Sequence, residues 1–360
     1  MNLNTLDFGP ARIDDVHRAR FRRCKVRQPF TIERLRWLCR LYQIPFRKPG
    51  SLYRRFAFSL PILALFKMRQ LVPLPLLGQF IFRRESAERR VGFNALNTQF
   101  SALYLAPYEQ RYEAELGPFM DAVLDEDATF VDMGSNWGYF SIWVASKPGF
   151  RGRVLAFEPV PATFADLQKT VEGCGLRDQI ECDNAGLSEF NGRSSMILPD
   201  LVQSGAATLH RSQRVRHIRG ISVQLRTLDS LELTRLDLIK VDVEGHEAQV
   251  FAGGMRTLGR TKPIVVFENG RNLSDWKQSL RPLEVLEELG YMLFQPCWVG
   301  ESSGRRCFFW PDEGCQTAAP ERLLGLVPVT VDKRLLHDGT NLVACHPEKM
   351  ELLDEKFEMV

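Results

Sequence analysis

The stretch Phe130-Val-Asp-Met-Gly-Ser-Asn-Trp-Gly138 decides the fold of this chain. It begins as a short apolar run typical of a buried strand and ends as a turn that contains two glycines. The apolar residues from Tyr139 to Val144 then predict a helix, and a second apolar run, Val154–Phe157, leads to Glu158. This order is typical of a nucleoside-binding βαβ unit, because an acid at the end of the second strand can accept hydrogen bonds from ribose hydroxyls.

Beyond this unit, apolar strand candidates alternate with amphipathic helix candidates. The strand candidates are Thr129–Met133, Arg153–Phe157, Gln179–Asp183, Leu236–Val241, Pro263–Phe267, Tyr291–Phe294 and Asn341–Cys345. The helix candidates are Trp137–Ser146, Pro161–Glu172, His246–Phe251 and Arg281–Leu289. The alternation predicts an α/β fold with a mostly parallel sheet that is covered by helices on both faces. The less regular span 186–227 contains weaker candidates, of which Ile221–Leu225 is expected to be an edge strand.

The N-terminal part of the chain differs from the rest in charge. The 360 residues carry a net charge of +3, yet residues 1–80 contain 16 Lys and Arg against 4 Asp and Glu, a net +12 that leaves −9 for the remainder. The pattern predicts a basic, mainly helical extension over 1–95, the α/β domain over 96–347 and a C-terminal tail over 348–360. Such an extension suits an anionic membrane surface, a nucleic acid or an anionic substrate, and it is equally compatible with a plain solvated face.

Cysteine spacing and hydropathy predict a cytoplasmic protein. No two of the eight cysteines form a Cys-x-x-Cys pair, which is typical of reduced thiols rather than of zinc ligands. The N-terminus lacks the apolar core of a secretion signal. The most apolar segment, Phe56–Phe82, is interrupted by charges and prolines, whereas a membrane-spanning helix needs roughly 20 apolar residues. Peripheral contact of this segment with an anionic membrane stays open as an alternative to a buried helical cap.

The glycine turn favours one class of cofactor. Its spacing from Gly134 to Gly138 is G-x-x-x-G, whereas dinucleotide-binding turns have G-x-G-x-x-G. Asp132 stands two residues before the turn, where a carboxylate repels a pyrophosphate but attracts an amino group or a sulfonium. The turn therefore favours S-adenosyl-L-methionine over NAD or FAD and disfavours an NAD-dependent oxidoreductase. Past the third strand, Asp183 and Asn184 are expected to flank an adenine edge.

A second acidic strand end lies in Asp237-Leu-Ile-Lys-Val-Asp-Val-Glu-Gly-His-Glu247. Asp242 and Glu244 follow a buried strand at its carboxyl end, which is the ligand-facing edge of an open α/β sheet. His246 could act as a general base or could simply bond a neighbouring acid at a helix start. Glu268 ends the next strand and is expected to point into the same crevice, where it would orient a hydroxyl of the substrate. A divalent ion at these acids is a lesser alternative, and no metal ligand is predicted because the spacing fixes no ligand set.

Together these motifs resemble the FkbM family of S-adenosylmethionine-dependent methyltransferases. The resemblance covers about residues 105–295 and is carried by Val131–Phe140, Phe157–Pro159, Asn184–Ser188, Thr227–Asp229 and Asp237–Glu247. It implies a Rossmann-like class I methyltransferase fold with a seven-stranded sheet. The implied cofactor-binding residues are Asp132, Gly134, Ser135, Asn136 and Gly138, with Glu158 on the ribose and Asn184 near the adenine. Trp137 departs from the Ile or Val expected at its position, and nothing about the N-terminal extension carries over.

The resemblance also implies a reaction, O-methylation of a hydroxyl on a small molecule, sugar or glycan. A base near the hydroxyl would remove its proton during the attack, and the candidates are His246, then Glu244 or Asp242. Two alternatives stay open. One is a non-catalytic Rossmann-like module at a membrane surface or an assembly partner, and the other is methylation of a different acceptor such as nucleic acid. No nucleic acid is expected as a partner, because the chain has no recognisable reading module, and the sequence leaves the oligomeric state open.

Overall fold

The structure is a computed structural model that describes residues 19–35, 77–95, 97–104, 112–199, 218–269, 276–302, 305–309, 321–329 and 340–359. The strands are β1 (Arg20–Lys25), β2 (Phe30–Leu35), β3 (Leu77–Arg84), β4 (Ala87–Asn94), β5 (Thr129–Met133), β6 (Arg153–Phe157), β7 (Ile180–Asp183), β8 (Ala185–Leu187), β9 (Gly192–Pro199), β10 (Ile218–Arg226), β11 (Leu238–Val241), β12 (Ile264–Asn269), β13 (Met292–Ser302), β14 (Arg305–Phe309), β15 (Glu321–Pro328), β16 (Thr340–Cys345) and β17 (Glu358–Met359). The α-helices are α1 (Leu116–Val123), α2 (Tyr139–Ala145), α3 (Pro161–Cys174), α4 (Glu247–Ala252), α5 (Met255–Thr261), α6 (Trp276–Glu288) and α7 (Met350–Lys356). Short 3-10 helices cover Thr98–Leu103, Leu228–Leu231 and Pro347–Lys349.

A parallel sheet with helices on both faces forms the centre of the molecule. Five neighbouring strands, β12, β11, β5, β6 and β7, run parallel to one another. Successive residues of β5 point to opposite faces, so that Phe130 packs in one apolar cluster and Val131 in the other. The chain leaves β5 toward β6 and β7 and later returns to β11 and β12 on the other side. The order therefore reverses between β5 and β11, which is where ligands bind in open α/β sheets.

The sheet is wider than the resemblance implies. Its order is β17-β1-β15-β13-β16-β12-β11-β5-β6-β7, with β14 paired to β13, which makes eleven strands among the described residues rather than seven. Seven of these strands, from β13 to β7, contain all the strand candidates of the sequence, and β16 lies antiparallel between β12 and β13. β13 continues to Ser302 and pairs with β14 and β15. β1 then covers the edge of β15, and β17 pairs with β1. Covering an edge satisfies its backbone groups, which explains the additional strands.

A smaller sheet in the order β8-β10-β9 lies beside the carboxyl ends of the central strands. The expectation of an edge strand at Ile221–Leu225 is wrong, because β10 is the middle strand of this sheet. It pairs in parallel with β8 and antiparallel with β9. Val223 and Leu225 point to an apolar cluster that also contains Val160 and Met196. Periodicity alone did not indicate that the two partner strands would enclose β10.

The described part of residues 1–95 consists of strands, so the expectation of a mainly helical extension is wrong for these residues. β2, β3 and β4 form a third, antiparallel sheet. Alternate residues such as Phe80 and Phe82 are buried while the side chains between them are more exposed, which is the pattern of a half-buried strand. β1 belongs to the central sheet, and the first apolar cluster includes residues of β2, β3 and β4. Most of the apolar segment Phe56–Phe82 lies outside the described residues.

The last residues of the chain are also part of the core rather than a tail. Helix α7 follows a 3-10 turn, and β17 pairs with β1. The ring of Phe357 lies 6.2 Å from that of Phe119 on α1, and both side chains are buried. The expected tail over 348–360 is therefore wrong for the described residues up to 359. The reason is that two sequence-distant strands, β1 and β17, complete each other's pairing.

Candidate active site

A cavity opens at the carboxyl ends of β5, β6, β11 and β12, where the strand order reverses. It contains about 1080 Å³ of empty space, including the part open to solvent, close to the upper end of the range for small-molecule sites. Its polar lining contains most of the predicted residues: Asp132, Gly134, Ser135, Asn136, Glu158, Asp242, Glu244, His246 and Glu268. The structure therefore brings together residues that are up to 136 positions apart, between Asp132 and Glu268.

The glycine turn after β5 is held by backbone contacts with β6. The N–H groups of Gly134 and Ser135 both donate to the carbonyl oxygen of Phe157, at 3.1 and 3.0 Å. Gly134 has φ +74°, and a Cβ atom at this position would overlap the carbonyl oxygen of Asp242. Only glycine fits there, because it has no Cβ atom and adopts positive φ readily. The turn thus lies directly against the end of β11, and the two halves of the cavity meet at Gly134.

Asp132 and Glu158 are buried carboxyl groups on the side of the cavity formed by β5 and β6. Asp132 accepts a hydrogen bond from Ser141 Oγ of α2 at 2.6 Å, and burial raises the pKa of its carboxyl. Glu158 is 5% exposed and accepts hydrogen bonds from the N–H groups of Asn136 and Val160, at 3.1 and 2.8 Å. Burial raises the pKa of Glu158 to about 7, although the two N–H groups act against this shift. Each carboxylate oxygen keeps a second lone pair with which it can bind a ligand hydroxyl.

Asn184 and Gly138 lie next to this side of the cavity without lining it. Asn184 donates from Nδ2 to the carbonyl oxygens of Glu158 and Pro159, at 2.8 and 3.2 Å, and is absent from the cavity lining. Gly138 precedes α2 with φ +95°. The structure therefore gives Asn184 a role in fixing the loop that carries Glu158, and its predicted contact with an adenine stays a prediction.

Trp137 connects the glycine turn to the N-terminal strands. Its side chain is 1% exposed and stacks on Phe100 with a centroid distance of 4.8 Å. It also contacts Phe30 of β2 and Phe80 of β3, at 5.6 and 6.1 Å between centroids, and donates from Nε1 to the carbonyl oxygen of Gln99. A large aromatic residue stands where a smaller one was expected because the β2-β3-β4 sheet packs over the turn. The departure at Trp137 was the sequence signal for this contact.

Lys240 is a cavity residue that the sequence reasoning did not select. It lies on β11 beside Asp132 of β5 in the strand register and is 3% exposed. Its Nζ donates to Asp242 Oδ2 at 2.8 Å and lies 5.0 Å from the centre of the Phe140 ring. Burial disfavours the ammonium form, but the carboxylates of Asp242, Glu113 and Asp132 outweigh it and raise the pKa of Lys240. A lysine in the middle of an apolar strand was the signal that could have identified it.

Further acids lie on the other side of Lys240. Glu244 has φ +53°, a backbone conformation that is costly for a long side chain and is typical of functional sites. Although the residue is exposed overall, desolvation of its carboxyl beside the cavity and the charges of Asp242 and Glu268 raise the pKa of Glu244 to about 8. Burial and the charges of Asp242 and Glu113 also raise the pKa of Glu268. Burial also raises the pKa of Glu113, which precedes α1.

His246 stands at the start of α4 and lines the same cavity. The ring is buried, and its Nε2 lies 2.9 Å from Ser188 Oγ. Glu247 accepts from the N–H of Gly245. His246 thus contacts a serine on the loop after β8, and the alternative role expected for it, a bond to a neighbouring acid at the helix start, stays a prediction. This contact fixes the ring at the wall of the cavity.

No helix among the described residues is both long and apolar enough to cross a membrane. In the same part of the chain, no group of three or more His, Cys, Asp or Glu side chains has a geometry suited to a metal ion.

Comparison with known proteins agrees with the geometry. The model of the methyltransferase FkbM domain matches residues 127–293, within the range that the motifs covered. Methyltransferase 1 of Beauveria bassiana is 27% identical over 158 residues, which are 39% of this chain and 61% of that protein. 2-O-methyltransferase NoeI of Sinorhizobium fredii is 28% identical over 174 residues, 44% of this chain and 70% of that protein. Hexuronic acid methyltransferase AglP of Haloferax volcanii is 28% identical over 144 residues, 39% of this chain and 56% of that protein.

The similarity is confined to part of each protein, since the chain spans between about half and two thirds of the length of most of these relatives. A solved structure, methyltransferase FkbM from Methylobacillus flagellatus, is 15% identical with a TM-score of 0.34, covers 56% of this chain and 44% of its own, and supports no further conclusion. The matched residues contain the glycine turn, Glu158 and the acidic end of β11. Residues 127–293 of this chain therefore match the methyltransferase FkbM domain, and this match implies S-adenosyl-L-methionine as the methyl donor.

Proposed function

We propose that this protein is an S-adenosylmethionine-dependent O-methyltransferase that acts on a hydroxyl group of a small molecule, sugar or glycan. The observation that supports it best is the single cavity in which the glycine turn and the buried Glu158 lie opposite the acidic ends of β11 and β12. One side of this cavity has the chemistry of a nucleoside site, and the other has groups that can accept a proton. The two sides meet at Gly134, so a donor and an acceptor would be adjacent.

The cofactor side fits the groups of S-adenosyl-L-methionine. Glu158 is anchored by two backbone N–H groups and has acceptor capacity left for the two ribose hydroxyls. Asp132 supplies negative charge for the cationic groups of the cofactor. The small sheet contributes an apolar wall through Met196 and Val223. The absence of a Cβ at Gly134 lets the turn approach the end of β11 closely.

The bound cofactor supplies an electrophilic methyl group, so the protein mainly has to align the acceptor oxygen and remove its proton. We assign proton acceptance to Glu244, because its pKa of about 8 is close to that of a base working near neutral pH. Asp242 is less suited, since its carboxylate is bonded to Lys240. His246 stays the alternative base, held by Ser188. Glu268 is proposed to orient the acceptor hydroxyl.

The relatives suggest the acceptor class. One is named as a 2-O-methyltransferase and another as a hexuronic acid methyltransferase. Both names are compatible with a hydroxyl on a sugar, and an oxygen acceptor also agrees with the carboxylates at the end of β11. We therefore place a sugar or related polyhydroxylated molecule first among acceptors.

Calorimetry with S-adenosylhomocysteine tests the cofactor site. We expect the wild-type protein to bind it and Glu158→Ala to weaken the affinity about 10- to 100-fold, because hydrogen bonds to a charged group are lost. Glu181→Ala is the matched control, since Glu181 is an exposed acid on β7 that pairs with Arg153. Binding by neither wild type nor control would refute the proposal, and so would an affinity of Glu158→Ala equal to that of the control.

Mass spectrometry tests the acceptor class. Extracts of metabolites and of surface glycans are incubated with the protein and S-adenosylmethionine, and a gain of one methylene unit in mass is sought. We expect the methylated product to have one fewer exchangeable hydroxyl proton than the acceptor. We also expect this product to be absent when Glu244→Gln replaces the wild-type protein. If Glu244→Gln retains wild-type turnover while His246→Gln loses it, the base assignment moves to His246. Methyl transfer to an amine nitrogen would contradict the oxygen acceptor.

A further inference from the structure

Lys240 is the one lysine or arginine among the described residues that line the cavity. The acids in the same lining are Asp132, Glu158, Asp242, Glu244 and Glu268. A single buried ammonium group is thus shared by carboxyl groups that belong to both sides of the cavity. The position of the Lys240 ammonium group determines which of these carboxyl groups it can stabilise in the charged form.

The strand geometry gives Lys240 two immediate neighbours. In the register between β11 and β5, Lys240 stands beside Asp132, so both side chains leave the sheet on the same face. Two residues later, Asp242 turns its carboxylate back to accept from Lys240 Nζ at 2.8 Å. The ring of Phe140 on α2 covers the ammonium group at 5.0 Å and excludes water from one side. The lysine is therefore fixed between the cofactor turn and the acceptor side.

The other charged groups near Lys240 come from neighbouring elements. They are Glu268 on β12, Glu244 after β11 and Glu113 before α1, together with the phenol of Tyr112, and each of the three carboxyl groups interacts electrostatically with the ammonium group. Desolvation raises the pKa of these carboxyls, and the charge of Lys240 acts against that rise. The charge of Lys240 thereby favours the ionised form of each of these carboxyl groups.

Stability alone does not explain a lysine at this position. Removing two charges from water costs several kcal/mol per ion, and a buried ion pair often contributes no more than an apolar pair of the same size would. The neighbouring residues of β11 are apolar and fully buried, so an apolar side chain would suit the strand. A buried cation at residue 240 is more readily explained by the charge that it gives to the cavity.

We propose that Lys240 is a positioning residue for both halves of the cavity, favouring the charged Asp132 carboxylate beneath the cofactor turn and orienting the Asp242 carboxylate at the acceptor side through their hydrogen bond. This inference rests on the proposed function, because it concerns the same site. It assigns Lys240 no contact with the reacting atoms. It predicts that one substitution on β11 alters groups on two different strands.

The first test needs no ligand. Carboxyl carbon NMR titrations of the full-length protein are compared for wild type, Lys240→Met and Lys240→Arg. We expect the pKa of Asp132 to rise by about 1–3 units in Lys240→Met, because an adjacent opposite charge is lost, and to stay near wild type in Lys240→Arg. Lys262→Met is the matched control, since Lys262 pairs with Glu348 outside the cavity. An unchanged titration of Asp132 in Lys240→Met would overturn the inference.

The second test measures S-adenosylhomocysteine binding between pH 5.5 and about 8.5. We expect Lys240→Met to weaken binding at least about tenfold at neutral pH and to move the acid limb of the affinity profile upward by about one unit or more. Lys240→Arg should restore most of the affinity, and Lys262→Met should not differ from wild type. A Lys240→Met protein that melts at a lower temperature yet keeps the wild-type affinity and pH profile would show a purely structural role.

A folding defect of Lys240→Met would not end the test. The double variant Lys240→Met/Asp242→Asn removes both charges of the pair, which is tolerated better than removal of one. In that protein the pKa of Asp132 is still expected to rise, and an unchanged Asp132 would overturn the inference. If the wild type itself does not bind S-adenosylhomocysteine, the proposed function fails, whereas the ligand-free titrations still decide the role of Lys240.

Discussion

The two halves of the cavity are built in different ways. The proposed cofactor half depends on backbone geometry. The N–H groups of Gly134 and Ser135 donate to the carbonyl oxygen of Phe157 on β6, and Glu158 accepts hydrogen bonds from two further N–H groups. The acceptor half is a matter of charge, since Lys240 and a group of carboxyls from separate strands and loops determine one another's ionisation. A turn of this kind tolerates few substitutions that add side-chain atoms or change the backbone conformation. A charge cluster tolerates shape changes better but responds to pH and to single charges.

Each half is therefore sensitive to a different kind of substitution. Substitutions that disturb the backbone of the turn should reduce stability and cofactor binding together. Substitutions that remove an acid of the acceptor half should leave cofactor binding nearly intact. The effects expected for the variants below decrease in size, and each measurement can contradict or refine this contrast between the two halves.

The largest effect is expected for Trp137→Ala. The indole fills the space between the glycine turn and the β2-β3-β4 sheet, so its removal should lower the free energy of unfolding by about 3–5 kcal/mol. Urea denaturation measures this change. The control is Phe190→Ala, because Phe190 is 45% exposed and its loss should change stability by no more than about 0.5 kcal/mol. Equal stabilities of the two variants would mean that the N-terminal sheet does not support the turn.

Gly134→Ala should be next. The new Cβ would meet the carbonyl oxygen of Asp242, and alanine disfavours φ +74°, so we expect a loss of at least about 2 kcal/mol in stability and no measurable S-adenosylhomocysteine binding. Gly259→Ala is the matched control. No atom lies within 4 Å of the added Cβ on α5, and the exchange should stabilise the protein by about 0.5–1 kcal/mol. A Gly134→Ala protein that binds the ligand normally would contradict the backbone description of the cofactor half.

A smaller effect is expected from pH. The pKa of Glu158 is about 7 in the folded protein, above the ordinary value near 4.5, so the folded state binds more protons than the unfolded state between these pH values. The stability contribution of protonated Glu158 is therefore full below pH 4.5 and is lost as pH rises through 7. We expect the free energy of unfolding of the ligand-free protein to fall by about 1–3 kcal/mol over this window.

The variant Glu158→Gln isolates this contribution. Glutamine does not titrate. The free energy of unfolding should therefore decline less steeply with pH than in wild type, and the difference is the contribution of Glu158 titration. The raised pKa values of Glu244 and Glu268 have the same sign and should persist in the variant. Chemical denaturation at pH 5, 6, 7 and 8 provides the comparison. Parallel curves for wild type and variant would place the titrating group elsewhere.

The smallest effect is expected for Glu268→Gln. Glu268 stands at the end of β12 on the acceptor half and is linked to the proposed cofactor half through the charge of Lys240. Since this link is indirect, S-adenosylhomocysteine affinity should change by less than about twofold. Its effect should appear in the Michaelis constant for the acceptor once the acceptor is known. Calorimetry beside Glu158→Ala makes the comparison direct. A tenfold loss of affinity would assign Glu268 to the cofactor half.

The central strands were predictable because each is a short apolar run bounded by turn residues. Thr129–Met133 and Arg153–Phe157 match their candidates residue for residue, and the acids that follow them line the cavity as expected. The strands β1 to β4 were missed because their alternation is interspersed with arginine. Lys240 was missed because a lysine in an apolar strand has no meaning until the strand beside it is known.

By itself, the sequence determined the βαβ unit, the preference for a sulfonium cofactor and the acids at the ends of β11 and β12. These features depend on neighbouring residues along the chain, where periodicity and turn chemistry act directly. Only the tertiary structure decided that Trp137 supports the turn, that β1 and β17 complete the sheet and that Lys240 lies between Asp132 and Asp242. Such contacts join residues from distant parts of the chain, and their energies depend on burial and distance, which exist only once the chain has folded.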